Sequence, residues 1–127
     1  MRIGIDSRTL TRPHTGIGTY LFNLLNSIPL RDRENAYSLF FDSKKMPREI
    51  LANKFYKGVP VRTPFVRQKA GANWVAPLWL NWALPMTAKR AGIDILFCPN
   101  FFAPLFGQFK TVITVHDLAP YENNTLF

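Results

Sequence analysis

The chain opens Met1-Arg-Ile-Gly-Ile-Asp6, passes through Ser7 to Thr15, and continues Gly16-Ile-Gly-Thr-Tyr-Leu-Phe-Asn-Leu-Leu-Asn-Ser-Ile28 before Pro29. Arg2 to Asp6 is a short apolar run that predicts a strand. Beyond the glycines the apolar residues fall at Tyr20, Leu21, Leu24, Leu25 and Ile28, the spacing of one face of a helix of about three turns. Pro29 is expected to end that helix, because proline has no N–H and its ring crowds the carbonyl four residues back. A loop containing Pro13 and His14 joins the two elements.

A polar turn from Arg31 to Asn35 leads to a second strand, Ala36-Tyr-Ser-Leu-Phe-Phe41. Lys44 to Lys57 is a mixed segment, with a short helix expected after Met46-Pro47. Val59 to Val66 reads as extended, and prolines at 60 and 64 suit an edge strand. A tryptophan-rich helix runs from Trp74 to Arg90, with a kink expected near Pro85 and Gly92 as its C-terminal stop. Asp94–Cys98 and Thr111–Val115 are apolar strands. Apolar strands alternating with helices argue for the α/β class: an open parallel sheet with helices on both faces.

Composition narrows the classes. The 127 residues suffice for one domain, and 47% of them are hydrophobic against 19% charged, so disorder is excluded. A single cysteine, Cys98, forms no internal disulfide and fits a reducing compartment. With an acid at Asp6 the first residues do not read as a signal peptide, so a cytoplasmic location is expected. The net charge of +8 concentrates between Lys44 and Lys69, where eight basic residues face the single acid Glu49. Such a patch is either a solvated loop face or an attractor of polyanions: phosphorylated lipid, an anionic membrane surface at the inner face, or nucleic acid. Nucleic acid is disfavoured because few aromatics are interleaved with those charges. Trp74 to Met86 is too short to span a bilayer, which takes about 20 apolar residues. A buried core helix is the favoured reading; interfacial docking through Trp74, Trp79 and Trp82 is the alternative.

Three features could carry chemistry. In His14-Thr-Gly-Ile-Gly18 the glycines permit close backbone approach, and a helix N-terminus presents unpaired N–H groups to a phosphate or carboxylate. A structural tight turn explains the same residues. Position 21 is Leu, so the dinucleotide fingerprint is incomplete, and no Gly-Lys-Ser/Thr of a P-loop is present. His116-Asp117 follows an apolar strand, at the edge where open parallel sheets bind ligands, and can serve a sugar hydroxyl or a phosphate. A histidine satisfied by backbone is the plain alternative. Asn100, in Cys98-Pro-Asn100, offers donor and acceptor to a polyol at the same edge. Two histidines and one cysteine match no metal-ligand spacing, and there is no Gly-x-Ser-x-Gly elbow.

Together the landmarks resemble a known family. They are Met1-Arg-Ile-Gly-Ile-Asp-Ser-Arg8, Thr15-Gly-Ile-Gly-Thr-Tyr20, Asn23-Leu-Leu25, Leu84-Pro85, Gly92-Ile-Asp-Ile-Leu-Phe-Cys-Pro-Asn100 and Val112-Ile-Thr-Val-His-Asp-Leu118. In this order and spacing, covering Arg2 to Tyr121, they resemble the start of glycosyltransferase family 4, retaining enzymes of the two-domain GT-B architecture. The resemblance implies a Rossmann-like N-terminal domain holding a saccharide or lipid-linked acceptor, a second domain binding the nucleotide sugar, and no metal or cofactor. It implies that Gly16, Ile17 and Gly18 approach the donor diphosphate, that His116 sits near the donor sugar with Asp117 in the same loop, and that Asp6 and Arg8 serve the loop structure.

On that reading residues 1–127 are one partial, truncated acceptor-side domain, because the family's glutamate pair and nucleotide pocket are not among them. Alone it is expected to be inactive, and to self-associate through an unpaired sheet edge. The reading from another class is a non-catalytic module that binds a phosphorylated ligand through Gly16–Gly18.

Overall fold

In a computed structural model, residues 1–11, 15–42, 48–63 and 75–118 are described. His14, Lys44, Lys45, Arg67, Lys69, Trp74 and the extended reading beyond residue 63 lie outside them.

The apolar runs form a five-stranded sheet: β1 (Arg2–Asp6), β2 (Ala36–Phe41), β3 (Tyr56–Pro60), β4 (Ile95–Cys98) and β5 (Lys110–Ile113). The spatial order is β3-β2-β1-β4-β5, and all neighbours are parallel. Parallel neighbours need crossovers, and three come with helices. These are α1 (Gly16–Arg31), α2 (Arg48–Ala52) and a composite helix made of α3 (Val75–Leu78), a π-helical turn (Trp79–Ala83) and α4 (Leu84–Arg90). The fold is an open α/β sheet of Rossmann type with helices on both faces.

Alternation along β2 divides the core. Tyr37, Leu39 and Phe41 join Ile5, Leu21, Leu25, Ile50 and Tyr56 on the α1 face. Phe40 points the other way, to Trp79, Ala83, Leu84, Ala88, Leu96 and Cys98. Gly4 is required by this second layer: a Cβ there would lie 2.6 Å from Phe40 Cε2 and 3.2 Å from Leu96 Cδ1.

Four expectations are corrected. First, α1 does not end before Pro29 but runs on to Arg31. Position 29 cannot donate to the Leu25 carbonyl, and the buried hydroxyl of Tyr56 on β3 does so at 2.5 Å. The turn that follows is held by Asp32, whose carboxylate accepts from the backbone of Glu34 and Asn35, the Asn35 amide and the Tyr37 hydroxyl. Those bonds hold its carboxyl well below the usual carboxylate range. Second, the kink expected near Pro85 takes the form of the π-helical turn just before it, where the Leu84 N–H reaches the Trp79 carbonyl. A wider turn accommodates a residue that lacks an N–H and crowds the preceding turn. Third, β3 begins three residues before Val59, though it is the edge strand the prolines suggested. Fourth, every residue of β5 is exposed. The β4–β5 connection, residues 99–109, contains no helix, so no crossover covers that strand.

The helix stop at Gly92 is as expected. Its φ is 65°, its N–H reaches the Lys89 carbonyl, and the Ile93 N–H reaches that of Ala88. This is a Schellman closure.

Candidate functional site

In a parallel sheet ordered 3-2-1-4-5 the chain leaves β1 toward one side and β4 toward the other, opening a crevice beyond their carboxyl ends. Every candidate residue of the sequence reading lies on a segment that starts at this rim.

From β1 the chain enters a 3₁₀ turn, Arg8–Thr11, within the expected loop. Asp6, 5% exposed, is paired with Arg8: Arg8 Nη2 donates to Oδ2 at 2.7 Å and Nε to Oδ1 at 3.0 Å. The guanidinium carbon sits 4.0 Å from the centroid of the Trp79 ring. A buried carboxylate needs such a partner, and the indole face shields the cation's other side. Cys98, fully buried at the end of β4, has its thiol pushed up to about 12, chiefly by burial and next by the Asp6 charge, with Arg8 opposing. It is an inert core thiol rather than a nucleophile.

Thr15 caps α1. Its hydroxyl accepts from the Gly18 N–H at 3.0 Å, and its carbonyl from the Thr19 N–H. Gly18, one of the three expected anion-facing residues, is therefore buried with its N–H engaged by the cap. Gly16 differs: among the described residues a Cβ added there meets nothing within 4 Å, so their packing does not demand a glycine. Ile17 is half-buried beside it.

His116 is held from three sides. Its Nε2 lies 2.8 Å from the Pro99 carbonyl. A carbonyl only accepts, so Nε2 carries the proton and Nδ1 is the acceptor of the neutral ring. Tyr20, from α1, makes a T-shaped contact with the ring at 5.1 Å and 83°, and Phe101 a second at 6.2 Å and 75°. Tyr20 also reaches Thr114 Oγ1 with its hydroxyl, at 3.4 Å. Backbone satisfaction and positioning thus coexist at His116, which remains exposed. Asp117 is exposed and has a partner of its own. Asn100, between Pro99 and Phe101, accepts from the Phe101 N–H at 2.7 Å through Oδ1, and its amide nitrogen is the group that can donate to a ligand.

The structure therefore gathers Asn100 and His116, and Tyr20 links them to α1 one turn beyond Gly16. Gly18 acts in the cap. The sequence reading put Tyr20 on the buried face of α1, but it is half-exposed and turned to His116. Its spacing of four from Gly16 already put both on one helix face. Phe101 and the Arg8–Trp79 contact carried no comparable signal. Among the described residues no three His, Cys, Asp or Glu side chains are grouped to hold a metal.

No protein-family model, curated protein or solved structure matches the chain. The candidate residues stand at the rim of the sheet. That rim offers a positioned imidazole, an amide and a helix N-terminus opened by an unhindered glycine, a set suited to hydroxyls and a negatively charged group.

Proposed function

We propose that this chain is the acceptor-side part of a retaining glycosyltransferase that moves a hexosyl group from a nucleotide sugar to a saccharide or lipid-linked acceptor. The observation that carries the reading is that Gly16 on α1, Asn100 after β4 and His116 after β5 all follow the carboxyl ends of parallel strands, with Tyr20 bridging helix and histidine. In transfer, negative charge develops on the leaving diphosphate, and pre-oriented backbone N–H groups and a helix N-terminus stabilise it without reorganising. The Gly16–Ile17 end of α1 takes that part. His116, fixed in orientation by Pro99 and Tyr20, holds the sugar in register, and Asn100 binds a hydroxyl. Asp117 belongs to the same loop. No protein nucleophile or metal is invoked.

In this reading the nucleotide is held by a second domain, so turnover is measured on the chain together with its donor-binding half, screening nucleotide sugars for hydrolysis or transfer. Gly16→Val meets no neighbour among the described residues, so it blocks approach without a clash against them. His116→Ala removes the positioned ring. Loss of turnover in both variants, with the fold intact, is the expected result. Unchanged rates in both overturn the assignment, and binding of a phosphorylated ligand without transfer favours the non-catalytic module.

A further inference from the structure

Two tryptophans of the composite helix have opposite fates. Trp79 is 2% exposed, packed under Arg8 with its Nε1–H toward the Val61 carbonyl, whereas Trp82 is 65% exposed. Leu78 and Met86, four residues before and after Trp82, are exposed too, so the helix presents an outward apolar row. The β4–β5 loop extends it: the Leu105 N–H donates to Asn81 Oδ1 at 3.0 Å, and Phe102, Leu105 and Phe106 are all largely exposed. Natural surfaces rarely leave this much contiguous apolar area bare.

Charge identifies the occupant. The α4 helix ends in exposed Lys89 and Arg90, one turn beyond Met86. Across Val75–Arg90 and the loop 99–109, the two segments that form this face, Lys89 and Arg90 are the only charged residues, and no acid offsets them. A second copy would bring the same positive charge to the interface and be repelled. An anionic bilayer satisfies both features: the apolar row enters the headgroup–acyl boundary, and the basic residues meet the headgroups. Spanning is not involved, since no helix among the described residues is long and apolar enough to cross a membrane.

We propose that the face formed by Leu78, Trp82 and Met86 with Phe102, Leu105 and Phe106 docks on an anionic membrane surface, with Lys89 and Arg90 at its edge. Of the three tryptophans in the sequence expectation, Trp79 is thereby excluded as an anchor and Trp82 takes its place at the centre. The proposal is independent of the glycosyltransferase reading, whose assay can use water-soluble acceptors.

The experiment is co-sedimentation of the 127-residue chain with phosphatidylglycerol–phosphatidylcholine vesicles and with pure phosphatidylcholine. Binding to the anionic vesicles is expected, weakened by about 0.5 M salt. Lys89→Gln with Arg90→Gln is expected to weaken it about 30-fold, at about 1 kcal/mol per charge. Trp82→Ser with Met86→Ser, both at exposed sites, is expected to weaken it at least about tenfold while circular dichroism stays unchanged. Quenching by brominated lipid in the Trp74→Phe chain, whose other tryptophans are buried Trp79 and exposed Trp82, reports insertion of Trp82. Absence of binding to anionic vesicles, unaltered binding by the serine variant, or no quenching overturns the proposal. So does a dimer that the serine variant dissociates, which would assign the face to a second copy.

Discussion

Tyr56→Phe removes one oxygen atom, and its cost is set by a residue on another element. The hydroxyl donates to the Leu25 carbonyl in the core, where the helix cannot supply an N–H because position 29 is proline. Losing one partner of a buried hydrogen bond costs about 1–3 kcal/mol. With Pro29→Ala, an amide at position 29 can donate to Leu25, and the same Tyr56→Phe change then leaves no orphaned carbonyl. The expected cost is about 2 kcal/mol with Pro29 in place and under about 1 kcal/mol in the Pro29→Ala background, a coupling of at least about 1 kcal/mol. For a domain of this size 2 kcal/mol corresponds to a fall in Tm of roughly 8 °C. Urea denaturation of the four chains, followed by circular dichroism with a common m-value, measures all three terms. Equal costs in both backgrounds would refute the account and leave the continuation of α1 past Pro29 without its stated cause.

Gly4→Ala places a Cβ 2.6 Å from Phe40 Cε2, against a rigid ring in the core. A loss of about 1–3 kcal/mol is expected in the same urea assay, and a neutral effect would show that the layer yields more easily than its geometry implies. Alkaline pH should destabilise the fold. The Cys98 thiol and the Tyr37 hydroxyl are both pushed up to about 12, Cys98 by burial and Asp6, Tyr37 by burial and Asp32. Because the neutral forms are favoured when folded, their contribution is complete below the ordinary values of 9.0 and 10.0 and is lost as pH rises toward about 12. The urea midpoint should fall over that window, and iodoacetamide at pH about 8 should modify Cys98 only after unfolding. Tyr20→Leu removes the aromatic edge beside His116, so the His116 ring-proton resonances should shift in the NMR spectrum with little change in Tm. Unmoved resonances would mean the two rings do not meet in solution.

The elements legible from sequence were those whose cause is local. Arg2–Asp6 and Ala36–Phe41 have the apolar character of strands, and Gly92 supplies the left-handed residue that closes α4. At the rim, the residues after β4 and β5 were legible as candidates because a strand's end defines where they stand. What they touch was not legible. His116 is held by Pro99 and Tyr20, and Gly18 is engaged by the Thr15 cap. These are contacts that only a folded backbone can make.

Periodicity states which face of an element is apolar; it does not state what will cover that face. That is why Pro29 looked like a helix end until Tyr56 supplied the missing donor, and why β5 looked like a buried strand although no helix among the described residues lies over it. An α/β chain with parallel strands was legible in the residues alone, because apolar runs and helical spacing are local properties of the covalent chain. It took the folded backbone to pair Arg8 with Asp6 over the Trp79 ring, to turn Tyr20 to His116, and to face Trp82 outward while burying Trp79. Those outcomes depend on which distant surfaces meet, and residues far apart in the chain meet only when the sheet brings them together.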